Sequence, residues 1–374
     1  MSKIYIVSPF YPYRGGIAQF SDALASSLKT TNDIQKINYK RLYPDFLFPG
    51  KSQFIEDHNK SKVMVKDGID SINPFSTLKL ISKINKEHQK TAILSVYWMS
   101  FFSPVLSFIN KFSSNKIKNI ALIHNLIPHE PRFFDSFFTR LYLNQQEAFV
   151  VLSEKVKNDL LKFKPNAKVL QLFHPLYNHF GEKIDKQIAR AKYAISSEKK
   201  VLLFFGLIRD YKGLDVLLNA LNELDDSYLL IIAGECYGGF DKYQSIIDAN
   251  NLETKIKHLD SFVSDDEVKY LFSAADICVL PYRNGTQSGV TATAIHFDLP
   301  IVSTNVGGLS EYVNDGFTGL LVEPENHHEL TIAIKKATDY IDNENFLSEI
   351  NSFKKKLSWE LFSSELNNFI HSLQ

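Results

Sequence analysis

The segment VLLFFGLIRDYKGLDVLLNALNEL, residues 201–224, holds a strand, a loop and a helix in that order. The apolar run Val201–Gly206 predicts a buried strand, and Gly213–Leu224 carries apolar residues at helical spacing. The same alternation recurs along the chain. Further strands are predicted at Lys3–Ser8, Ala92–Tyr97, Ile120–Ile123, Ala148–Leu152, Tyr228–Gly234, Lys257–Leu259, Asp276–Leu280, Pro300–Ser303 and Gly319–Val322. Further helices are predicted at Ile17–Leu28, from Glu154, at Asp266–Ala274 and at His327–Ile341. Strands that alternate with helices predict an α/β fold with parallel sheets covered on both faces.

The domain organisation follows from length and local composition. A chain of 374 residues predicts two domains rather than one. Residues 181–200 are charged and weakly periodic. We therefore expect a linker at 181–198 between an N-terminal domain at 1–180 and a C-terminal domain at 199–357. Two doubly wound domains joined there would place their strand ends around a central cleft, since ligands of such sheets bind beyond the carboxyl ends of the strands.

The charge is balanced overall but not along the chain. Lys plus Arg and Asp plus Glu both total 42, which argues against a generic nucleic-acid-binding protein. Residues 1–180 hold 24 basic and 13 acidic residues, so the first half is basic and the second is acidic. One interpretation is that the first half meets a phosphorylated acceptor or a membrane surface. The other is a solvated lysine-rich surface, and the sequence does not choose between them.

Three features of the sequence bear on the cellular compartment and on membrane association. Two cysteines, Cys236 and Cys278, are too few for a disulfide framework or a structural zinc site, which fits a reducing cytoplasm. The start of the sequence lacks the pattern of a signal peptide. The uncharged run 91–110 has the length of a membrane span, but four serines and Pro104 favour a strand, a loop and a short helix. Trp98, with Phe101 and Phe102, is a candidate contact to an acceptor or to a lipid interface.

Three loops, each after a predicted strand, form candidate phosphate-binding elements. The first runs from Gly206 to Gly213 and carries Arg209 and Lys212, which suit bidentate and point-charge contacts to phosphate. The alternative is a pair of exposed loop cations. The second and third loops hold small polar residues or glycines that allow a ligand close to backbone amides, or that cap a helix and make a turn. Their candidate residues are Thr286, Gln287, Ser288, Gly289 and Val290, and then Gly307, Gly308 and Glu311.

Ordered motifs make the chain similar to a known family. The run Val201–Val322 resembles the C-terminal domain of GT-B retaining glycosyltransferases of family 4, also called group 1. The motifs there are FFGLIRDYKG (204–213), SAADICVLPY (273–282), LPIVSTNVGGLSEYV (299–313) and GFTGLLV (316–322). The first half resembles the same family in SPFYPYRGGIAQF (8–20), IHNLIPHE (123–130), VVLSEKVKNDL (150–160) and FHPLYNHFG (173–181). LSWELFSSELNNFI (357–370) resembles the final helix, so the resemblance implies that 358–374 crosses back onto the first of two Rossmann-like domains.

One departure from the family pattern bears on activity. The family usually carries two glutamates eight residues apart, and the matching positions here are Gly285 and Thr293. The loop reads Thr286-Gln287-Ser288-Gly289 instead, which resembles a recurrent variant subgroup. The usual carboxylate contacts to the donor therefore do not carry over. A non-catalytic relative that binds nucleotide sugars is the alternative to an enzyme.

The resemblance implies a mechanism and a set of roles. It implies retaining transfer of a sugar from a UDP- or GDP-linked donor, with no cofactor and no metal, to a saccharide or lipid-linked acceptor of cell-surface polysaccharide or glycolipid synthesis. Catalysis is assigned to His124, Arg209 and Lys212. Donor contacts are assigned to Gly15, Gly16, Gly206, Phe262, Thr286, Gln287, Ser288, Gly289, Val290 and Glu311. Acceptor contacts are assigned to Trp98, His129 and Glu130, although the last two are equally well explained as a loop-stabilising pair.

Overall fold

The structure is a computed structural model, and it describes residues 2–44, 53–55, 68–127, 133–176, 180–236, 238–285, 289–340 and 343–374. The chain divides into two compact units: Met1–Phe173 with Trp359–Gln374, and His174–Ser358. Residues 181–198, expected to form a linker, lie in the second unit and include a helix. The ion pairs of that helix, described below, account for its place there.

The first unit is built on a parallel six-stranded sheet in the order β2-β1-β5-β6-β7-β8, with a separate parallel pair β3-β4. The strands are β1 (Lys3–Val7), β2 (Asp33–Ile37), β3 (Tyr39–Arg41), β4 (Ile69–Asp70), β5 (Thr91–Tyr97), β6 (Lys118–Ile123), β7 (Ala148–Val151) and β8 (Val169–Gln171). The first five helices are α1 (Gly16–Leu28), α2 (Leu78–Ile84), α3 (Ser103–Phe112), α4 (Asp135–Leu143) and α5 (Glu154–Phe163). The uncharged run 91–110 thus forms a strand, a 3-10 turn and a helix, as predicted. Among the described residues, the helices are all too short or too polar to cross a bilayer.

The second unit contains a second parallel six-stranded sheet, in the order β11-β10-β9-β12-β13-β14. Its strands are β9 (Lys200–Phe205), β10 (Tyr228–Ala233), β11 (Ile256–Leu259), β12 (Ile277–Leu280), β13 (Ile301–Thr304) and β14 (Gly319–Val322). Its helices are α6 (Lys186–Lys192), α7 (Leu214–Asn222), α8 (Asp241–Ala249), α9 (Asp265–Ala274), α10 (Gly289–His296), α11 (His327–Ala337) and α12 (Glu344–Lys356). Every strand predicted from the sequence is present, with its ends within two residues of the prediction.

Both faces of the first sheet are covered. Alternate strand residues belong to two different apolar clusters, because successive side chains point to opposite faces. One cluster includes α2 to α5. The other includes α1 and the final helix α13 (Trp359–Leu373), where Phe20 packs against Trp359 and Phe362. The end of the chain is therefore part of the core of the first unit.

Candidate active site

The strand order of the second sheet marks one place as a binding crevice. From β9 the chain moves outward to β10 and β11, and it then returns to the other side of β9 as β12. The loops after β9 and β12 therefore leave the sheet in opposite directions at its carboxyl edge, and ligands of doubly wound sheets bind in the crevice between such loops. The two loops are the first and second predicted phosphate loops.

The loop after β9 forms a fixed frame for its two cations. Asp210–Lys212 make one 3-10 turn, in which the Lys212 amide donates to the Arg209 carbonyl at 2.9 Å. Gly213 then adopts φ +68°, and a Cβ built on it would lie 2.0 Å from the Pro281 carbonyl oxygen. Only glycine fits this position, because the left-handed backbone and the close approach both exclude a side chain. The first loop thus packs tightly against the start of the second.

Lys212 is a buried cation at this crevice. Its side chain points back onto the loop, where its Nζ lies 3.0 Å from an ideal Cβ on Gly206 and 5.4 Å from the centre of the Tyr282 ring. Burial, with a smaller contribution from the positive charge of Arg209, lowers the pKa of Lys212 to about 8. Among the described residues, no carboxylate forms an ion pair with Lys212. An anion bound here would supply the missing negative charge.

Helix α10 begins beside Lys212. Gly289 is its first residue, and the Val290 Cγ2 lies 3.8 Å from the same ideal Cβ on Gly206. The first turn of α10 carries no acidic residue, and the partial positive charge of a helix start favours an anion. The predicted donor residues Thr286, Gln287 and Ser288 lie outside the described residues.

The two positions where the family usually has glutamates are closed. Gly285 is buried, and a Cβ there would meet the Leu309 Cδ1 at 2.6 Å. Thr293 is also buried, and its hydroxyl donates to the Gly289 carbonyl at 2.8 Å within α10. Small residues at these positions let the loops after β12 and β13 pack together, and Thr304 closes the contact by donating to the Tyr282 carbonyl at 2.6 Å.

Arg283 is a site residue that sequence reasoning missed. Its guanidinium donates to both carboxylate oxygens of Asp215, at 3.0 and 2.6 Å, and to the Asp210 carbonyl at 2.7 Å. It also donates to Glu325 at 2.8 Å, and its backbone amide donates to the Tyr211 carbonyl at 2.7 Å. The hydrogen bonds to Asp215 raise the pKa of Arg283 above its ordinary value. Arg283 therefore ties the turn that carries Lys212 to the loop after β12.

Two other predicted donor residues lie elsewhere in the second unit. Phe262 is partly exposed after β11, which is an edge strand two strands away from β9. Glu311 lies in a 3-10 turn after β13 and lines a cavity of about 270 Å³ with Glu349 and Lys356. The described contacts do not bring either residue to Lys212, so their donor contacts stay predictions.

The predicted residues of the first unit occupy strand ends and a helix start. His124 directly follows β6, is buried, donates its amide to the Tyr97 carbonyl at 2.9 Å, and meets the Phe20 ring edge-on at 4.5 Å. Gly15 and Gly16 begin α1 without a side-chain cap. These positions are at the carboxyl edge of the first sheet. His129 and Glu130 lie outside the described residues.

Trp98 is more deeply packed than the sequence suggested. Its indole Nε1 donates to the Tyr43 hydroxyl at 3.1 Å, and its ring lies 4.3 Å from that of Phe102. Phe102 is wholly buried in the core, so the hypothesis that it enters a lipid interface is wrong. An uncharged run with three aromatic residues is equally compatible with a protein core and with a lipid interface. In this structure Phe102 is in the core.

One group of side chains has the composition of a metal site. Glu223, His327 and His328 place one ligand atom each within 4.8 Å of one another, the only such group of three among the described residues. None of the three belongs to the loops that frame Lys212. Among the described residues, the loops that frame Lys212 therefore contain no group of three such ligand atoms.

These two parallel sheets define the GT-B class of fold, and solved structures agree over the whole chain. Sucrose-phosphate synthase from Thermosynechococcus elongatus superposes with a TM-score of 0.76 at 15% identity, covering 100% of this chain and 99% of that one. HepE from Anabaena, in complex with UDP-glucose, gives a TM-score of 0.76 at 14% identity and covers 99% of both chains. At such identities, the likeness establishes the fold alone.

Sequence similarity supports a family within that class. Residues 185–351 match the family model described as glycosyl transferases group 1. The uncharacterized glycosyltransferase MJ1178 of Methanocaldococcus jannaschii is 25% identical over 366 residues, covering 96% of this chain and 95% of the relative. Residues 185–351 of the second unit are therefore similar in sequence to group 1 glycosyltransferases, within a chain that has the GT-B fold.

Proposed function

We propose that this protein is a retaining, metal-independent glycosyltransferase of family 4, in the variant subgroup with a TQSG loop. It transfers a hexosyl group from a UDP- or GDP-sugar to a saccharide or lipid-linked acceptor. The reaction serves the synthesis of a cell-surface polysaccharide or glycolipid. The protein works in the cytoplasm, at the inner face of the membrane.

The observation that carries this proposal is Lys212. A buried ammonium with no described counter-ion, beside Arg209 and the start of α10, is suited to a diphosphate. In sugar transfer, the bond between the anomeric carbon and the diphosphate breaks, and negative charge grows on the leaving group. Preformed cations in a site shielded from water stabilise that charge more than they stabilise the ground state.

Retention and metal independence rest on residue types rather than on geometry. The sequence contains no Asp-x-Asp motif, so the cations of the protein are proposed to do the work that a metal does elsewhere. For retention, we take the acceptor hydroxyl to attack on the face that the diphosphate leaves, and its proton to pass to the departing phosphate. In this scheme His124 holds the donor sugar and no protein nucleophile is needed.

A second candidate function has its own support. Leu309 and the Thr293 hydrogen bond close the two positions where the family usually has glutamates. A protein that binds nucleotide sugars without turning them over would have the same crevice. The enzyme is favoured because Arg209, Lys212 and His124, the three residues to which the resemblance assigns catalysis, are all present.

The test separates binding from turnover. We would measure thermal stabilisation by UDP, GDP, ADP and their sugars without metal, where a ligand at 100 times its Kd adds about 2.7 kcal/mol. Release of nucleoside diphosphate from the same donors would be followed in parallel. Lys212→Met should weaken the stabilisation and lower donor release about 10²–10³-fold, and the exposed-site control Lys335→Met should keep both signals. Stabilisation without release favours the binding module, and no stabilisation by any nucleotide contradicts both functions.

A further inference from the structure

An apolar patch lies on the surface of the first unit, away from its core. It consists of Ile72, Phe75, Leu78, Phe108 and Phe112, from the turn before α2 and from α2 and α3. Phe75 is 69% exposed, Leu78 52% and Phe112 50%. The rings form a continuous row, with 5.6 Å between the centres of Phe75 and Phe108 and 4.6 Å between Phe108 and Phe112. Exposed clusters of large apolar side chains mark interaction surfaces.

Lysines surround this patch, and acids are almost absent. Asp70, whose carboxylate accepts from the Ile72 amide, is paired with Arg41. Residues 71–127 contain seven lysines and a single acidic residue, Glu87. That acid is already engaged, by Lys3 Nζ at 2.9 Å and by the Tyr5 hydroxyl at 2.6 Å. The Asn85 side chain donates to the Phe112 carbonyl at 3.0 Å, so the ends of α2 and α3 meet. Exposed lysines therefore collect around Phe112: Lys83 and Lys86 at the end of α2, and Lys111 and Lys116 at the end of α3.

We propose that this patch, with its lysines, is the surface through which the first unit binds an anionic lipid bilayer. Aromatic rings enter the interfacial layer, while lysines keep their charge among the headgroups. The net positive charge of the stretch matches a negative membrane surface and would repel a basic partner. The neighbouring helix α4, which packs on α3, carries a further exposed ring, Phe137, which is 67% exposed.

The proposal deepens the proposed function, because it rests on a lipid-linked acceptor held at the inner membrane face. The proposed membrane contact is at this patch and not at Trp98, Phe101 and Phe102, where the sequence suggested a lipid contact. Phe102 is inside the core, whereas Phe75 and Phe112 face solvent.

Vesicle flotation tests the surface. Wild-type protein is mixed with vesicles of phosphatidylcholine alone, or with 30% phosphatidylglycerol, at low and high salt. We expect binding to the anionic vesicles only, weakened by salt as charges are screened. Lys83→Gln/Lys86→Gln/Lys111→Gln should lower partitioning about 100-fold, since each lysine near the surface contributes about fivefold. The matched control in the second unit, Lys335→Gln/Lys336→Gln/Lys355→Gln, should bind as the wild type does.

A second pair of variants tests the contribution of the apolar side chains to vesicle binding. Phe75→Ser/Phe112→Ser should lower partitioning at least tenfold, and Phe317→Ser/Ile332→Ser, at similarly exposed positions of the second unit, should not. Equal binding to neutral and anionic vesicles, or unchanged binding of both patch variants, would overturn the proposal. A wild-type dimer that the Phe75/Phe112 variant converts to monomer would also overturn it, in favour of a second copy. Donor release, measured without vesicles, separates this result from the proposed function: vesicle binding without release leaves the surface standing and rejects the enzyme.

Discussion

Each edge of the second sheet buries one cationic side chain, and the two side chains differ in their ionic partners. At the amino edge, Arg190 of α6 donates to Asp276 at 2.6 Å, to the Ala274 carbonyl at 3.1 Å and to the Ser197 carbonyl at 2.9 Å. Asp276 also accepts from the Val201 amide at 2.7 Å. At the carboxyl edge, Lys212 is as deeply buried, but no described carboxylate pairs with it. One edge completes its own ionic network, and the other leaves a place for the charge of a ligand.

Under the proposed function, this contrast separates a cation that stabilises the fold from one that binds a ligand. A buried ion pair that is fully hydrogen-bonded is sensitive to the loss of either member, because the remaining charge is stranded. A buried cation without a partner instead destabilises the free protein and is released from that penalty when an anion binds. Four changes test the contrast, and they are ordered by the size of the expected effect.

The largest effect is expected at the amino edge. Arg190→Met removes the buried guanidinium from Asp276, which keeps Lys186, at 2.8 Å, and the Val201 amide as described partners; the change should lower the free energy of unfolding by about 3–5 kcal/mol. Urea denaturation measures it. Arg41→Met is the control, because Arg41 pairs with Asp70 at the surface, where such pairs contribute about 1 kcal/mol or less. A loss below 1 kcal/mol for Arg190→Met would remove the contrast between the edges.

The second effect is expected at the carboxyl edge and has opposite signs in activity and stability. Lys212→Met should lower the rate of donor turnover about 10²–10³-fold, as loss of a transition-state donor does. It should also stabilise the free protein, by up to about 3 kcal/mol, since one pKa unit corresponds to about 1.4 kcal/mol and burial lowers the pKa of Lys212 to about 8.

A pH series gives the same answer independently. Between pH 8 and 10.5 the folded protein has released the Lys212 proton and the unfolded chain still binds it, so wild-type stability should rise with pH in that window. Comparing wild type with Lys212→Met isolates this contribution. A variant that is less stable than the wild type at pH 7 would mean that Lys212 is a structural cation like Arg190.

The third effect concerns His174, at the start of the second unit. Its amide donates to the Tyr312 hydroxyl at 2.5 Å and its Nδ1 donates to the Pro175 carbonyl at 2.8 Å, in a buried setting. Burial lowers the pKa of His174 to about 4, so the folded state keeps the ring neutral. The neutral His174 ring therefore contributes fully to the free energy of unfolding above pH 6.5. This contribution, up to about 3 kcal/mol, is lost as the pH falls towards 4.

Paired denaturation curves measure the His174 contribution. The difference in unfolding free energy between wild type and His174→Asn should shrink by that amount from pH 7 to pH 4. A difference that stays constant over this range would show that the ring is not held neutral.

The sequence predicted the interior of the fold better than its edges. Central strands such as β5 and β10 are continuous apolar runs, and such runs are readable without a structure. The strands β2 and β8 were missed because they are edge strands, short and half-exposed, with polar residues between the apolar ones. Helix α6 was taken for linker because its ionic partner Asp276 is far along the chain.

The candidate site divides in the same way. Arg209, Lys212 and the start of α10 could be proposed from the sequence because they belong to local strand–loop–helix units. Arg283 was missed because its partner Asp215 is 68 residues away, and only the adjacency of β9 and β12 brings them together. The contact between Gly285 and the Leu309 side chain could not be predicted from the sequence for the same reason. The spacing of residues along the sequence predicts the groups that a single loop presents. The order of the strands in the sheet determines which loops lie next to one another.

Arg283 gives the smallest and most selective prediction. Because it holds the Lys212 turn through Asp215 and the Asp210 carbonyl, Arg283→Gln should loosen that turn while leaving both cations in place. Loss of charged hydrogen bonds at a partly buried site costs about 1–2 kcal/mol, so we expect a roughly 5–30-fold loss in donor kcat/KM. Asp215→Asn should give a similar loss, and the double variant no more than either single one, since the residues act as one unit. Multiplied losses in the double variant would show that Arg283 meets the donor itself and does not work through the loop.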